Sequence, residues 1–239
     1  EPGRVVVECR KGSESGEPIQ TAEASASVES DHTAVVRLEG LEAKTEYTLS
    51  VLVEGEPIAE AGSPFIVTTR PASGTGSRFR VAFGGGAGFV PEYARMWDTI
   101  ADHEPDALLM LGDNVYIDDP THVATQHYCY YRRQSEPKWR SLVSRVPVYS
   151  IYDDHDFGDN DCMPGPEIEV PSWKRPVLEV CRQNWANPGY GGGSKNPGCW
   201  YDFSIGDVQF FLLDGRYYRD RASGSMLGPV QRQWLLEGL

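Results

Sequence analysis

Residues 79–113, FRVAFGGGAGFVPEYARMWDTIADHEPDALLMLGD, decide how the chain is built. The stretch 79–83, apolar except for Arg80, reads as a short strand that enters the glycine turn 84–88. Pro91 opens the next segment, and Tyr93, Met96, Trp97 and Ile100 recur at helical spacing through residue 103. Residues 106–111 read as a strand, with an unbroken apolar run from Ala107 to Leu111, the pattern of a strand buried on both faces. A strand, a helix and a second strand within about 30 residues make a βαβ unit, so the sheet is at least partly parallel. The fold class expected for this part is α/β.

Downstream, residues 121–145 are helical in character and are divided in two by Pro137. A third strand is expected over 146–152, a loop over 163–171, a helix over 173–186 and a Gly/Pro/Asn-rich loop over 187–198. Residues 200–204 and 208–214 read as a hairpin, and 228–238 as an amphipathic helix. Upstream the texture differs. Residues 1–70 carry four β-type runs, 4–9, 33–38, 46–53 and 65–69, separated by Gly, Pro, Ser and Glu clusters. That pattern predicts a small all-β antiparallel sandwich. The stretch 71–77, PASGTGS, is a linker. Two units are therefore expected, 1–70 and 78–239.

The formal charge of −13, from 22 Lys and Arg against 35 Asp and Glu, argues against a nucleic-acid-binding surface. It does not exclude a phosphorylated small molecule, because bound metals invert the local field. No apolar run approaches the ~18 residues of a membrane span. The N-terminus shows no signal-peptide pattern, and with Glu1 as first residue a leader already removed is compatible with the sequence. Cys9, Cys129, Cys162, Cys181 and Cys199 have no CxxC spacing, which disfavours a zinc ribbon. The last three lie in a loop-rich region that suits a disulfide, and an odd total leaves at least one thiol free.

Chemistry is concentrated at strand ends. In 148–161, VYSIYDDHDFGDND, an apolar run stops at Tyr152, and Asp153, Asp154, Asp156, Asp159 and Asp161 follow around His155 and Asn160. Carboxylates this close repel unless a cation neutralises them, and hard cations take Asp and Asn oxygens while transition metals add His. A single Asp at a strand end is usually a cap or a turn former. Here Asp113, the 153–156 cluster and Asp214 end three strands, and ligands in open α/β sheets bind beyond the strand carboxyl ends. Asp113 suits a bridging metal ligand, and Tyr116 is near enough to reach the same ion as a phenolate. His155 is a ligand or a proton donor, Arg216 a substrate oxyanion contact or an ion-pair partner of these carboxylates. The 84–88 turn is a phosphate cradle or simply a tight turn.

Five ordered motifs carry a family likeness: GDNVY (112–116), YYRRQSEPKWRSLVSRVP (130–147), VYSIYDDHD (148–156), LLDGRYYR (212–219) and MLGPVQRQWL (226–235). Together they resemble the PhoD-type alkaline phosphatases, a branch of the calcineurin-like metallophosphoesterases. Residues 38–53, LEGLEAKTEYTLSVLV, resemble a fibronectin type III module. The first resemblance implies a metallophosphoesterase core and hydrolysis of phosphate monoesters, diesters or both, at a site of two or more metal ions. Iron and calcium are favoured, with zinc, manganese or magnesium as alternatives. It implies Asp113, Tyr116 and Asp154 as metal ligands, Asn160 or Asp156 as a further one, and His155 as acid or phosphate contact. Arg216 and Asn114 are assigned to substrate binding, and an extracellular or periplasmic location is expected.

Two departures from the family pattern stand out. The first motif, usually an acid or Cys at the end of the first core strand, reads Gly84–Gly86 here. The C-terminal histidine motifs are absent, which leads to the expectation of half a double sheet whose apolar face is covered by further residues or another polypeptide. Both departures favour a rival reading, a non-catalytic extracellular module with a calcium-binding site. A third keeps the metal site but changes the ester, for example to sulfate.

Overall fold

The computed structural model describes residues 2–12, 16–58 and 64–239. In the N-terminal unit β1 (Gly3–Lys11), β2 (Gln20–Ala26), β3 (Glu46–Val53), β4 (Glu56–Pro57) and β5 (Phe65–Thr68) share one antiparallel sheet. β1 lies between β2 and β3, and the far edge of β3 is shared by β5 and β4. The β3–β4 hairpin turns through Glu54 and Gly55, both at positive φ (52° and 84°), the geometry that matches strand twist in a two-residue turn. Tyr47 is buried, and its hydroxyl accepts from the Glu42 N–H at 2.9 Å, pinning the chain just before β3. Among the described residues these strands make a single sheet.

The strand expected over 33–38 does not form. The edges of β1 and β3 are already paired, so β-branched composition finds no ladder there. The segment instead runs beside Pro147–Tyr149 and Ala186–Pro188, and together they line a cavity of about 470 Å³. β2 was not expected because Ala and Glu, four of its seven residues, are weak strand formers and Thr21 is its one β-branched residue. Only its pairing with β1 makes it one.

The linker is not a free tether. The Gly74 N–H donates to the Gly206 carbonyl at 2.8 Å. Arg70 donates to the Ser204 carbonyl at 3.3 Å, and its guanidinium lies 5.4 Å from the rings of both Tyr149 and Phe203. Further along, Gln183 donates to the Glu29 carbonyl at 2.9 Å, and His127 lies 3.0 Å from an Asp31 oxygen.

The α/β unit follows the expected order: β6 (Val81–Gly84), α1 (Arg95–Asp102), β7 (Ala107–Met110), α2 (Val123–Gln134), α3 (Pro137–Val143) and β8 (Val148–Ser150). A short α4 (Asp154–Phe157), α5 (Lys174–Asn184), β9 (Tyr201–Ile205), β10 (Val208–Leu212) and α6 (Gly228–Gly238) complete it. β6, β7 and β8 form a parallel sheet in that order, with Val81 opposite Ala107 and Leu108 opposite Val148. Pro137 starts α3, where its missing N–H is no loss, and the Glu136 carboxylate caps the helix by accepting from the Trp139 N–H at 2.6 Å.

Alternation in β7 explains its unbroken apolar run. Leu108 and Met110 join the helical side, packed with Trp97, Tyr130, Trp139, Leu142 and Val177. Ala107 and Leu109, with Tyr149, pack on the β9–β10 hairpin, where Phe203 stacks on Tyr149 at 3.8 Å. The β9–β10 hairpin thus packs on the face of β7 and β8 for which a cover from further residues or another polypeptide was expected. Phe83, at the end of the outer strand β6, remains 73% exposed.

Candidate metal centre

The carboxyl ends of β7 and β8 are drawn together by one glycine. Gly112 has φ +107°, and a Cβ built on it would fall 2.4 Å from the Asp153 Cβ. No other residue lets the two loops come this close. Asp113, Tyr116 and Asp118 then all take positive φ (53°, 50° and 52°), an unusual run for non-glycine residues. Such strain persists only where the surroundings hold it. Asp156 does the holding: its buried carboxylate accepts from the N–H groups of Asn114, Val115 and Tyr116 at 2.8, 2.9 and 3.2 Å. The N–H groups of Ile117 and Asp118 donate to the His155 carbonyl at 2.7 and 3.0 Å. From α2, Arg132 donates to the Val115 carbonyl at 3.0 Å, and Arg133 to those of Ala87 and, at 3.2 Å, Asn114.

This framework brings Asp113, Asp154 and His155 together, with one ligand atom from each lying within 4.8 Å of the others. Asp113 Oδ1 is buried and has no hydrogen-bond partner among the described residues. A buried carboxylate oxygen without a donor is costly unless a cation meets it. Asp154 is buried too. One of its oxygens accepts from the Asp161 N–H at 2.5 Å, and the other lies 3.2 Å from Arg216 Nη2. Tyr116 stacks on the His155 ring at 4.6 Å and has its hydroxyl within reach of Asp113. His155 Nδ1 is held by the Asp118 carboxylate at 2.5 Å.

Electrostatics follow from this crowding. Burial, then the neighbouring charges of Asp153 and Asp154, push the Asp113 carboxyl above its usual range. Burial pushes Asp156 up to about 6 in spite of its three N–H donors. At Asp154 burial acts upward, but the Asp161 N–H and Arg216 outweigh it and hold the carboxyl low. The Asp118 hydrogen bond raises His155. Burial, then Asp113, raises the Tyr116 phenol. An excess of carboxylate over cation, with an unpartnered oxygen at its centre, is a donor set that fits a metal ion.

The other expected residues fall in several places. Arg216 is buried, with Nε on Asp153 and Nη2 near Asp154, so of its two readings the ion pair is the arrangement observed. Asn114 is buried with its amide donating to Ser150 Oγ (3.1 Å) and the Ile151 carbonyl (2.8 Å). Asn160 is exposed on the loop after α4 and donates to Asp161 at 3.0 Å. Asp214, expected at the same crevice, is fully buried beside the end of β8, next to the Arg216 that pairs with Asp153 and Asp154. Its oxygens accept from the N–H groups of Cys199, Arg216 and Tyr217 and from the Tyr152 hydroxyl. The 84–88 turn packs on the loop, with the Gly86 N–H donating to the Gly112 carbonyl at 3.1 Å. All five cysteines are free thiols. Asp118 and the anchoring role of Asp156 escaped the sequence analysis. Asp118 reaches His155 only because the backbone kinks at positive φ, which no spacing announces.

A mixed α/β unit with a carboxylate–histidine group at the ends of parallel strands defines the class: a protein built to hold a cation at the strand carboxyl edge. The sequence model of the PhoD-like phosphatase family matches residues 81–239, and the chain belongs to that family. Among solved structures the chain is similar to PhoD, with 19% identity and a TM-score of 0.77 over 99% of this chain and 53% of that one. It is also similar to purple acid phosphatase PPD1 from yellow lupin (Lupinus luteus) seeds, with 15% identity and a TM-score of 0.63 over 99% of this chain and 43% of that one. At these identities the likeness is one of fold, and the chain spans about half the length of either structure. A comparison with curated proteins gave no match.

Proposed function

We propose that this chain carries the metal-binding part of a phosphate-ester hydrolase of the phosphomonoesterase or phosphodiesterase type. The observation that carries the reading is the convergence of Asp113, Asp154 and His155, with a buried Asp113 oxygen that no group among the described residues satisfies. Membership of the PhoD-like phosphatase family supports it. Asp113, Asp154 and Tyr116 are assigned as ligands, Asn160 as an outer one, and iron with calcium as the favoured metals. Bound there, metal ions supply positive charge against the phosphate and an activated water.

The rest falls to the chain's own residues. With Nδ1 committed to Asp118, Nε2 of His155 is the nitrogen left to pass a proton to the leaving ester oxygen. Arg216 restrains Asp153 and Asp154 so that their charges stay fixed. We assign residues 1–70 to a fibronectin type III-like module, 71–77 to the linker and 78–239 to the metallophosphoesterase unit, in an extracellular or periplasmic protein. The Tyr47 hydroxyl bond to Glu42 supports the module assignment.

The test is hydrolysis of chromogenic phosphate monoesters and diesters before and after chelation, with metal content measured by mass. Turnover lost on chelation and restored by iron with calcium, zinc or manganese is expected. Metal-independent turnover, or calcium binding without turnover of either ester, overturns the reading.

A further inference from the structure

A row of aromatic and guanidinium groups leads away from the candidate centre on one side. A Cβ built on Gly88 would lie 3.5 Å from the Tyr116 ring, so the 84–88 turn rests on that ring. Phe89 follows directly. The Arg132 guanidinium lies 5.1 Å from the Phe89 ring and 6.0 Å from that of Tyr128, one turn back along α2. Arg132 is also bonded to the Val115 carbonyl at 3.0 Å, so the row is fastened to the loop that bears Asp113 and Tyr116. Its Nε is buried without a partner among the described residues. Tyr128 is 62% exposed, and Tyr131, one turn on, is 68% exposed.

A lone exposed tyrosine calls for no explanation. Here the rings are joined through an arginine that is bonded to the loop bearing Asp113 and Tyr116. Ring faces bind other ring faces, and a guanidinium adds attraction for an anion as well as for a π-system. In a chain of net charge −13, this cation also gives an anionic ligand a favourable side of approach to an otherwise acidic centre.

We propose that Phe89, Arg132 and Tyr128 form a shelf that binds the aromatic group of a phosphate ester whose phosphate lies at the Asp113–Asp154–His155 centre. The substrate class is phosphate esters of aromatic or nucleoside alcohols, in preference to simple alkyl esters. This rests on reading that centre as a phosphoesterase site.

The test titrates phenylphosphonate and methylphosphonate into the metal-loaded protein by calorimetry, so that no turnover is needed. Phenylphosphonate binds about tenfold more tightly than methylphosphonate, the scale of one aromatic stacking contact. Tyr128→Ala and Phe89→Leu each lower that ratio about threefold or more, and Tyr128→Ala, at an exposed position, leaves the urea midpoint in place. Equal affinity for the two phosphonates in the wild type, or a ratio that neither variant moves, overturns the shelf while leaving the centre intact. Binding of neither phosphonate in a metal-dependent way overturns the centre, and the shelf with it.

Discussion

Two aspartates at strand ends, the half-buried Asp113 and the fully buried Asp214, look alike in the sequence and do opposite things in the structure. Asp214 has every carboxylate lone pair engaged by Cys199, Arg216, Tyr217 and Tyr152, and its backbone is paired both ways with the Gln231 side chain at 2.8 Å. Asp113 sits at positive φ among other carboxylates with Oδ1 unsatisfied. Polar burial is therefore no mark of a site. What marks one is capacity left over after the protein has made all the bonds it can, held in place by strain and by neighbours that are themselves saturated.

The sharpest way to break that contrast is to truncate each member. Asp214→Ala leaves three N–H groups and a hydroxyl without their acceptor in the interior, and a loss of about 3–5 kcal/mol in urea unfolding is expected. Asp113→Ala removes only crowding from the fold, so unfolding stability holds, while ester hydrolysis falls on the order of a thousandfold. If the two variants behave alike in both measurements, the distinction is wrong.

Gly112→Ala tests the approach that creates the crowding. Its methyl would meet the Asp153 Cβ at 2.4 Å on a backbone that disfavours any side chain, and a cost of about 3 kcal/mol with loss of bound metal is expected. Wild-type metal content in a stable variant would show that the loops do not need this contact. Asp118→Asn keeps a hydrogen-bonding group near His155 but removes the charge that orients it. A fall of about 10–100-fold in kcat, with KM and metal content retained, is expected; unchanged kcat would make Asp118 a bystander.

The smallest effect belongs to Lys174, on the saturated side. It is fully buried, donates to the carbonyls of Gly165 (3.0 Å) and Glu167 (2.6 Å), and lies 4.5 Å from the Tyr217 ring. Burial lowers its ammonium from 10.5 to about 8 against the pull of Asp214, Glu167 and Glu169. Above about pH 8 the folded protein loses this proton while the unfolded chain keeps it to about 10.4. The unfolded state then binds more protons, and the contribution of this group to stability rises with pH. Relative to Lys174→Met, wild-type stability should climb by on the order of 2 kcal/mol between about pH 8 and 10; parallel curves would refute the assignment.

Much of the architecture was legible because local patterns and tertiary demands agree. The spacing of Met96, Trp97 and Ile100 placed α1, Pro137 divided α2 from α3, and β3 fell on its alternating run. The segment 33–38 misled because composition cannot say which strand edges are already taken. β2 was hidden for the converse reason, weak propensity rescued by a partner. At the centre, Asp113, Asp154 and His155 were readable as a group from residue type and strand-end position. Asp118, which has no spacing signal, was not.

By itself, then, the sequence determined the α/β class of residues 78–239, the order of the main elements there and the identity of the three residues that converge, because periodicity and residue chemistry are local properties. Only the tertiary structure decided which strand-end aspartate is saturated and which is not. That depends on donors contributed from residues far apart in the chain: Asp156 supports the Asp113 loop, whereas Cys199, Tyr152 and Gln231 close around Asp214. Hydrogen-bond satisfaction is a property of the assembled interior, and no linear pattern records it.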